Sequence, residues 1–448
     1  MIQAMSYKSI YSRKCWIDGA LRPATLHIKD GRIESVELGE RTDENPEADW
    51  ILMPGVIDAH VHINEPGRTD WEGFETATLA AAAGGISTLV DMPLNSSPVT
   101  ISVKAFNEKL VACQSKLSVN VGFYGGVIPG NIDELLPLAK KGVLGYKCFL
   151  VHSGIEEFPN VEMSDLEKAM PVIARSGLPL LAHCELDQHE APSRIKENPS
   201  SYTEYVKSRP GIWEKEAVDR MILLSRKYDC PIHIVHVSFS DCLDSIAKAK
   251  AEGLKVTAET CPHYILFNQE DIPDGQTMYK CAPPIRERKN NLALISALAN
   301  GTLDLIGSDH SPAPPEFKET NTGNLQRAWG GIAGLQYLLP ASYTAMSAHV
   351  SLEKFIPLLT ENPSKMLHLD GCKGYLRKGY DADLVLWNPD APADTDPNSV
   401  MHKHKLSPYV GMTLKGRVAK TWVSGELVFH DGQFIQGSGN TIIGSNAS

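Results

Sequence analysis

The chain contains 448 residues, of which 42% are hydrophobic and 22% are charged, as is ordinary for a globular protein. Its formal net charge of −11 argues against a nucleic-acid or anionic-membrane partner, because such partners favour a basic surface. No stretch reaches the roughly 20 apolar residues that a membrane-spanning helix needs. The charge balance leaves the class of substrate open.

Cysteine usage and the N-terminus bear on the compartment. The nine cysteines form no C-x-x-C pair and their number is odd, which favours reduced thiols in an intracellular protein. The N-terminus lacks the continuous apolar run of a secretory signal. Basic residues without acidic ones in 1–14 leave a short organellar signal open. We therefore predict a soluble intracellular protein, cytoplasmic or organellar.

The first 53 residues show short strand patterns. Candidate strands lie at 15–19, 25–28 and 32–36. Residues 29–31 (KDG) are typical of a hairpin turn, with glycine where a positive φ is needed. We therefore predict a small β unit at residues 1–53.

From residue 54 the pattern changes to alternating strands and helices. Eight apolar runs have the composition of strands buried on both faces, and they lie at 57–61, 87–91, 118–123, 144–149, 178–183, 231–237, 255–259 and 303–308. Helical patterns lie between them at 74–83, 103–116, 132–140, 164–176, 214–228, 241–252 and 289–299. This alternation predicts an α/β fold, a (β/α)8 TIM-type barrel over residues 54–370. An open doubly wound sheet is the alternative, but no G-x-G-x-x-G motif follows a strand.

Strand patterns return after the barrel region, at 382–387, 418–423 and 426–429, the last before a turn at 431–432. We therefore predict that residues 371–448 form a second β unit, which meets the first one beside the barrel as one composite domain. The tail from residue 437 is small and polar, and we predict that it is frayed.

Two histidines one residue apart end the first barrel strand. Residues i and i+2 of a strand project from one face, so His60 and His62 can reach the same point, as a metal ion requires. On this spacing alone, two solvated or hydrogen-bonded histidines are an equal alternative.

Further polar residues end other predicted strands, at the edge where such barrels place their chemistry. They are Lys147, His183, His236 and Asp309. Histidine and carboxylate ligands suit zinc and neighbouring divalent ions. Because a single catalytic zinc keeps an open position, this set is large enough for two ions.

Lys147 is the unusual member, because metal ions would repel an ammonium group. A carbamate formed from its amine and CO2 would be anionic and could give one oxygen to each ion. The alternative is a lysine paired with a carboxylate or extended to solvent. The other ligands and the lack of another obvious bridging group favour the carbamate.

The six candidate ligands, together with DAHVH at 58–62, resemble the binuclear metal-dependent amidohydrolase superfamily and specifically its cyclic-amidohydrolase branch. The similarity runs through nearly the whole chain, including NPSKMLHL at 362–369 and GYDADLVLW at 379–387. The resemblance implies a barrel that carries a small β-sandwich domain built from both termini.

The resemblance also implies cofactors and roles. It implies two divalent metal ions per subunit, zinc or alternatively manganese or cobalt, and a carboxylated Lys147. Asp309 would be both a metal ligand and the group that shuttles the proton. Relatives of this kind are commonly homotetramers.

Three relatives within this branch differ in their substrate. Dihydroorotases carry an arginine two residues after the second histidine, where it binds a carboxylate. Asn64 holds that place, and an amide cannot replace a charge-assisted pair. Dihydropyrimidinases and hydantoinases carry a tyrosine five residues after the lysine, where this chain has His152.

Several segments instead resemble the allantoinase family, namely 60–78, 146–154, 183–185, 259–264, 280–286, 307–312 and 328–336. This resemblance implies ring-opening hydrolysis of allantoin to allantoate in purine catabolism, with water activated between two metal ions. It places substrate contacts at Asn64, Ser153, Gly154, Ala282 and Gly330.

Two other functions stay open. One is a dihydropyrimidinase or hydantoinase type of cyclic amide hydrolase. The other is a catalytically silent scaffold homologue, against which the retention of every ligand argues. Supporting or structural roles are predicted for His263, His310 and Asp58, and either core packing or a place in the pocket wall for Trp71 and Trp329.

Overall fold

A computed structural model describes residues 7–41, 45–435 and 437–444. The strands of this part, numbered β1 to β17 along the chain, are Tyr7–Ile17, Ala20–Lys29, Arg32–Leu38, Ile51–Pro54, Val56–Val61, Ile86–Asp91, Asn120–Phe123, Gly125–Gly126, Tyr146–Phe149, Leu180–His183, Ile232–Ile234, Val256–Thr260, Leu305–Ile306, Leu384–Pro392, Lys415–Val423, Glu426–His430 and Gln433–Phe434. Its α-helices, α1 to α12, are Phe74–Ala83, Val103–Ala112, Ile132–Lys141, Met163–Ser176, Tyr202–Lys207, Gly211–Tyr228, Leu243–Ala251, Pro262–Leu266, Arg288–Asn300, Leu338–Met346, Leu352–Phe355 and Glu361–Met366.

Strands from both ends of the chain pair in one eight-stranded sheet. Its order is β17-β16-β15-β14-β4-β1-β2-β3. The two halves join where β4 pairs antiparallel with β14, with Met53 opposite Val385. Asp30 and Gly31 form the predicted hairpin turn, with φ values of 50° and 79°, which is the left-handed geometry of a two-residue type I′ loop.

The predicted apolar runs supply the parallel strands. Each of the eight runs overlaps one strand, and β8 is an additional two-residue strand. They form two parallel sheets, β5-β6-β7 and β13-β12-β11-β10-β9-β8. Every residue of β5, β6, β9 and β10 is buried, which explains why their sequences do not alternate regularly between polar and apolar residues. Helices lie between the strands along the chain, so the fold is α/β.

Hydrogen bonds connect the edges of these two parallel sheets. The backbone N–H of Leu144 donates to the carbonyl of Phe123 at 2.8 Å. At another point, Val61 forms a parallel bridge with His310, and the N–H of His62 donates to the His310 carbonyl at 2.8 Å. The strand ends that carry the candidate ligands therefore lie next to one another.

The C-terminal tail differs from its prediction. Residues 437–444 are not frayed but pair with β7, since the Val121 N–H donates to the Asn440 carbonyl and the Ile442 N–H donates to the Val121 carbonyl. Small polar side chains did not reveal this pairing, because backbone groups make it. Residues 445–448 lie outside the described part.

Two chain-wide expectations can be compared with this structure. Within 7–41, 45–435 and 437–444, no helix has the length and apolar character needed to cross a membrane. All nine cysteines are free thiols and eight of them are buried, in agreement with the predicted reduced state.

Candidate metal centre and substrate cavity

The six predicted ligands line one cavity of about 520 Å³. All of them are buried, and Asp309 has the largest exposed fraction, 7%. Each lies within a parallel strand or one to three residues after its carboxyl end. The strand ends therefore bring together residues that are up to about 250 positions apart in the sequence.

His60, His62 and Asp309 form the first half of the centre. Oδ1 of Asp309 lies 3.2 Å from Nε2 of His60 and 3.4 Å from Nε2 of His62. One ligand atom from each of the three residues lies within 4.8 Å of the other two. Two imidazole nitrogens and a carboxylate oxygen therefore face a common point.

His183, His236 and Lys147 form the second half. Nδ1 of His183 lies 3.0 Å from Nε2 of His236. The ring of His236 also lies 5.5 Å from that of His60, which connects the two halves. Lys147 Nζ lies 5.0 Å from the centre of the Phe149 ring, which also stacks on the ring of His183.

Carboxylates behind the centre hold two of these histidines by their other ring nitrogen. Nδ1 of His60 contacts Oε1 of Glu259, and Nε2 of His183 contacts Oε2 of Glu185 at 2.7 Å. Such a contact fixes the tautomer, because the N–H points to the carboxylate and the lone pair points into the cavity. Asn95 contacts Nδ1 of His62 at 3.3 Å.

Burial sets the protonation states that a metal centre needs. It lowers the pKa of His62 to about 4 and also lowers that of His183 and His236, so these imidazoles are neutral at pH 7. It would by itself raise the pKa of Asp309, but the electrostatic interaction with the His60 ring and the hydrogen bond to His62 hold that pKa well below its usual range.

Lys147 lies in an unusual environment for an amine. Its side chain is fully buried, and Nζ has no hydrogen-bond partner among the described residues. Burial lowers its pKa to about 8, although the carboxylates of Asp309 and Glu259 act in the opposite direction. About a tenth of this amine is therefore neutral, and nucleophilic, at pH 7, far more than for a lysine of ordinary pKa.

The backbone is strained at two of the ligand positions. His236 and Asp309 have φ values of 41° and 45°, in the left-handed region that non-glycine residues rarely adopt. Such conformations persist only where the surrounding structure imposes them, and they cluster at functional sites.

The residues present fit a pair of divalent metal ions. The donor set is four imidazoles, one carboxylate and one amine. Nε2 of His60, Nζ of Lys147 and Nδ1 of His236 are buried atoms without a hydrogen-bond partner among the described residues. Buried polar atoms normally have a partner, so an orphaned group of this kind points to a ligand.

Four of the five predicted substrate contacts line the same cavity: Ser153, Gly154, Ala282 and Gly330. Asn64 does not line it, although it is buried. Asn64 has a φ of 68° and begins the turn after β5, where its carbonyl accepts from the Arg68 N–H at 3.1 Å. Asn95 lies at the cavity instead.

The remaining polar residues take supporting places. Asp58 accepts from the backbone N–H groups of His60 and Ser308, both at 3.1 Å, and so connects β5 to the segment that follows β13. His310 contacts Glu72 at 3.2 Å. Trp329 lines the cavity, and its ring lies 4.8 Å from that of Trp71.

Glu185, Glu259 and Asn95 contact the candidate ligands but were not predicted from the sequence. Glu185 carried a usable signal, because it follows His183 by two residues and shares its face if the strand continues. Glu259 ends the predicted strand at 255–259, which also places it at the catalytic edge. Asn95 follows its strand by four residues, and no periodicity marks it.

Comparison with known proteins places the chain in a family. Residues 51–428 match the amidohydrolase family. The chain belongs to that family. The match begins in β4 and ends in β16, so it includes all the parallel strands of this amidohydrolase and the central part of its terminal sheet.

Individual relatives match along almost their whole length. This amidohydrolase is 41% identical over 429 residues to an allantoinase of Streptomyces avermitilis, covering 94% of this chain and 95% of the relative. It is 39% identical to an allantoinase of Saccharomyces cerevisiae, covering 95% and 96%. The solved structure of L-hydantoinase (dihydropyrimidinase) from Arthrobacter aurescens is similar with a TM-score of 0.91 at 30% identity, covering 97% of this chain and 99% of that one.

Proposed function

We propose that this amidohydrolase is an allantoinase, a metal-dependent cyclic amide hydrolase that opens the ring of allantoin to give allantoate in purine catabolism. One observation carries the proposal. All six predicted ligands line a single cavity in a chain that aligns with an allantoinase over 94% of its length. A scaffold that had lost catalysis would have no need of the complete set.

The metal site belongs to the proposal. His60, His62, His183, His236 and Asp309 would hold two divalent ions, with zinc favoured by the nitrogen-rich donor set and manganese or cobalt as alternatives. When bound, such ions lower the pKa of a water molecule and polarise a carbonyl group.

Lys147 is proposed to be carboxylated. Carbamate formation joins the neutral amine to CO2 and releases one proton, and burial already favours the neutral amine. The product is an anion with two oxygens. It would offer both ions a ligand and remove the repulsion that an ammonium group would impose.

Asp309 is the proposed proton shuttle. Its low pKa keeps it ionised at neutral pH, so it can accept the proton of the attacking water as that water adds to the ring carbonyl. When the ring C–N bond breaks, the same carboxyl group returns the proton to the departing nitrogen. The strained backbone at this position fixes the direction of the side chain.

The cavity suits a ring without a carboxylate. The position at which dihydroorotases place a carboxylate-binding arginine is Asn64, which does not line the cavity. Both arginines that line the cavity are paired, Arg209 with Glu185 and Arg327 with Glu319. We therefore infer that a substrate carboxylate would find no free guanidinium there.

A hydantoinase activity is the second candidate, because a solved structure of high similarity is an L-hydantoinase. His152 lines the cavity at the place of the family tyrosine, and its Nδ1 accepts from the Gly154 N–H at 3.1 Å. That ring is therefore engaged within its own loop, which favours the first candidate.

Architecture beyond the α/β fold is also proposed. We infer a closed (β/α)8 barrel at 54–370, supported by the hydrogen bonds that connect the two parallel sheets. Residues 1–53 and 371–448 would form the β-sandwich domain, supported by their shared eight-stranded sheet. We also propose that the protein forms a homotetramer and that it acts in an intracellular compartment.

A substrate panel tests the activity. The purified protein would be supplied with zinc, manganese or cobalt and assayed on allantoin, hydantoin, dihydrouracil and dihydroorotate, with bound metal measured in parallel. We expect the highest kcat/KM on allantoin. A clear preference for dihydrouracil would overturn the choice of substrate, and a metal-free chain without any turnover would overturn the enzyme proposal.

A further inference from the structure

Two lysines are buried beside the cavity without an anionic partner. Lys318 is 4% exposed and Lys280 is 9% exposed. Neither forms an ion pair with any residue that the structure describes. Burying an ammonium group is expensive, and an apolar side chain of similar size would fill such a position more cheaply. Their contacts therefore need an explanation other than packing.

Lys318 donates to three backbone carbonyls. Its Nζ lies 2.7 Å from the carbonyl oxygen of Gly331, 3.0 Å from that of Trp329 and 3.4 Å from that of Lys280. In its protonated form the amine has three N–H donors, and these three carbonyls fill that capacity with backbone alone. Two of the carbonyls flank Gly330, and the third comes from a different segment.

Lys280 repeats this pattern from the opposite side. Its Nζ donates to the carbonyl of Ala328 and to that of Gln326 at 3.4 Å. The two ammonium groups thus connect segment 280–283 to segment 326–331 at five carbonyls. Lys280 also lines the cavity itself.

The connected segments carry two of the proposed ring contacts. Ala282 lies in one and Gly330 in the other, and both line the cavity. They face each other closely, since a Cβ added to Gly330 would lie 3.8 Å from Cβ of Ala282 and 3.9 Å from its backbone nitrogen. A small change in the spacing of the segments would therefore change the groups that the ring meets.

We infer that Lys318, assisted by Lys280, is a positioning residue that sets the spacing between segments 280–283 and 326–331 and thereby the binding of the substrate ring. This inference rests on the proposed function, cyclic-amide hydrolysis, and adds Lys318 and Lys280 to the residues on which substrate binding depends. Both act on ring binding and not on the metal centre, because neither contacts any of the six ligands.

Lys318→Met tests the inference, since it keeps the length of the side chain and removes its donors. We expect KM to rise about tenfold and kcat to change by less than about threefold, with unchanged metal content. The assay uses whichever cyclic amide the wild-type protein hydrolyses best. Lys280→Met is the second variant, with a smaller rise in KM, and it serves if Lys318→Met does not fold.

Lys373→Met is the matched control. Lys373 is equally buried, but it is paired with Asp381 and Asp383 and does not line the cavity. We expect it to lower Tm without changing KM. If the Lys318 and Lys280 variants also lower Tm and leave KM unchanged, the lysines are merely structural and the inference is wrong.

Hydrogen–deuterium exchange separates this inference from the proposed function. In the metal-loaded protein without substrate, Lys318→Met should raise amide exchange in both 280–283 and 326–331, and the control should not. Unchanged exchange in both segments would overturn the inference. This outcome does not depend on which substrate the protein takes, or on any turnover at all.

Discussion

Nδ1 of His183 lies 3.0 Å from Nε2 of His236, although the two residues come from different strands. Glu185 holds the other ring nitrogen of His183, so the lone pair of Nδ1 points towards His236. Two nitrogens this close repel each other unless a proton or a cation lies between them. Metal binding at this pair therefore competes with a proton, and we expect metal affinity to fall as the pH is lowered.

The Glu259 carboxylate should control metal affinity through His60. In Glu259→Gln the amide oxygen can still accept from His60, but it no longer carries the charge that makes the imidazole a stronger donor. We expect metal affinity to fall by about 10-fold to 100-fold, measured by chelator competition. The control is Glu214→Gln, because Glu214 is also buried but contacts Ser238 and Arg286 instead of a candidate ligand. Equal affinities in the two variants would contradict this role.

Replacement of Lys147 by alanine should remove both metal and activity. The variant lacks the amine that would be carboxylated, and it leaves a fully buried space. We expect less than about 1% of wild-type kcat/KM, a loss of over 2.7 kcal/mol in transition-state stabilisation. Acetate or another short carboxylic acid should restore part of the metal content and activity. If both survive in CO2-free buffer without added acid, the carbamate proposal is wrong.

Asp309→Asn should affect turnover more than substrate binding. The amide can occupy the same space but cannot accept the proton, so kcat should fall by about 10² to 10⁴. Steady-state kinetics and metal analysis of the same preparation separate loss of proton transfer from loss of metal. A variant with full metal content and a kcat within tenfold of wild type would exclude Asp309 as the shuttle.

Two adjacent glycines should respond differently to alanine. A Cβ on Gly331 would lie 2.4 Å from the carbonyl oxygen of Ser311, so Gly331→Ala should lower the free energy of unfolding by about 1–3 kcal/mol. A Cβ on Gly330 would make only ordinary van der Waals contacts, but it would narrow the cavity beside Ala282. Gly330→Ala should therefore raise KM at nearly unchanged stability, within about 0.5 kcal/mol. Thermal unfolding and steady-state kinetics of both variants test these two expectations. A stable Gly331→Ala with a raised KM, together with a destabilised Gly330→Ala with an unchanged KM, would contradict them.

Lys318 should make stability depend on pH above neutrality. Burial, assisted by the charge of Lys280, lowers the pKa of Lys318 to about 7, whereas an unfolded chain keeps the ordinary lysine value of 10.5. Between these two pKa values, the unfolded state binds more protons on Lys318 than the folded state does. The contribution of Lys318 to stability is therefore least favourable below pH 7 and improves as the pH rises towards 10. The wild-type protein should therefore gain unfolding free energy relative to Lys318→Met between pH 7 and pH 9. Chemical denaturation of both proteins at pH 7 and pH 9 measures this difference. If the unfolding free energies of the two proteins change equally between these pH values, the pKa of Lys318 is not lowered.

The sequence determined the parts of this protein that depend on local pattern and residue type. Eight mainly apolar runs were predicted as parallel strands because burial on both faces favours apolar residues at successive positions, and each of these runs overlaps a strand. His60 and Asp309 were predicted together because parallel strands deliver their carboxyl ends to one edge, whatever lies between them. The chemistry of the ligand set followed from residue types alone.

Only the tertiary structure decided which side chains meet behind that edge. Glu259 holds His60 from 199 residues away, and Lys318 reaches carbonyl groups of two separate segments. Asn95 lines the cavity and Asn64 does not, although both follow parallel strands and both have a positive φ. No periodicity encodes such contacts, since they depend on where loops return in space and on backbone carbonyls, which are the same in every residue.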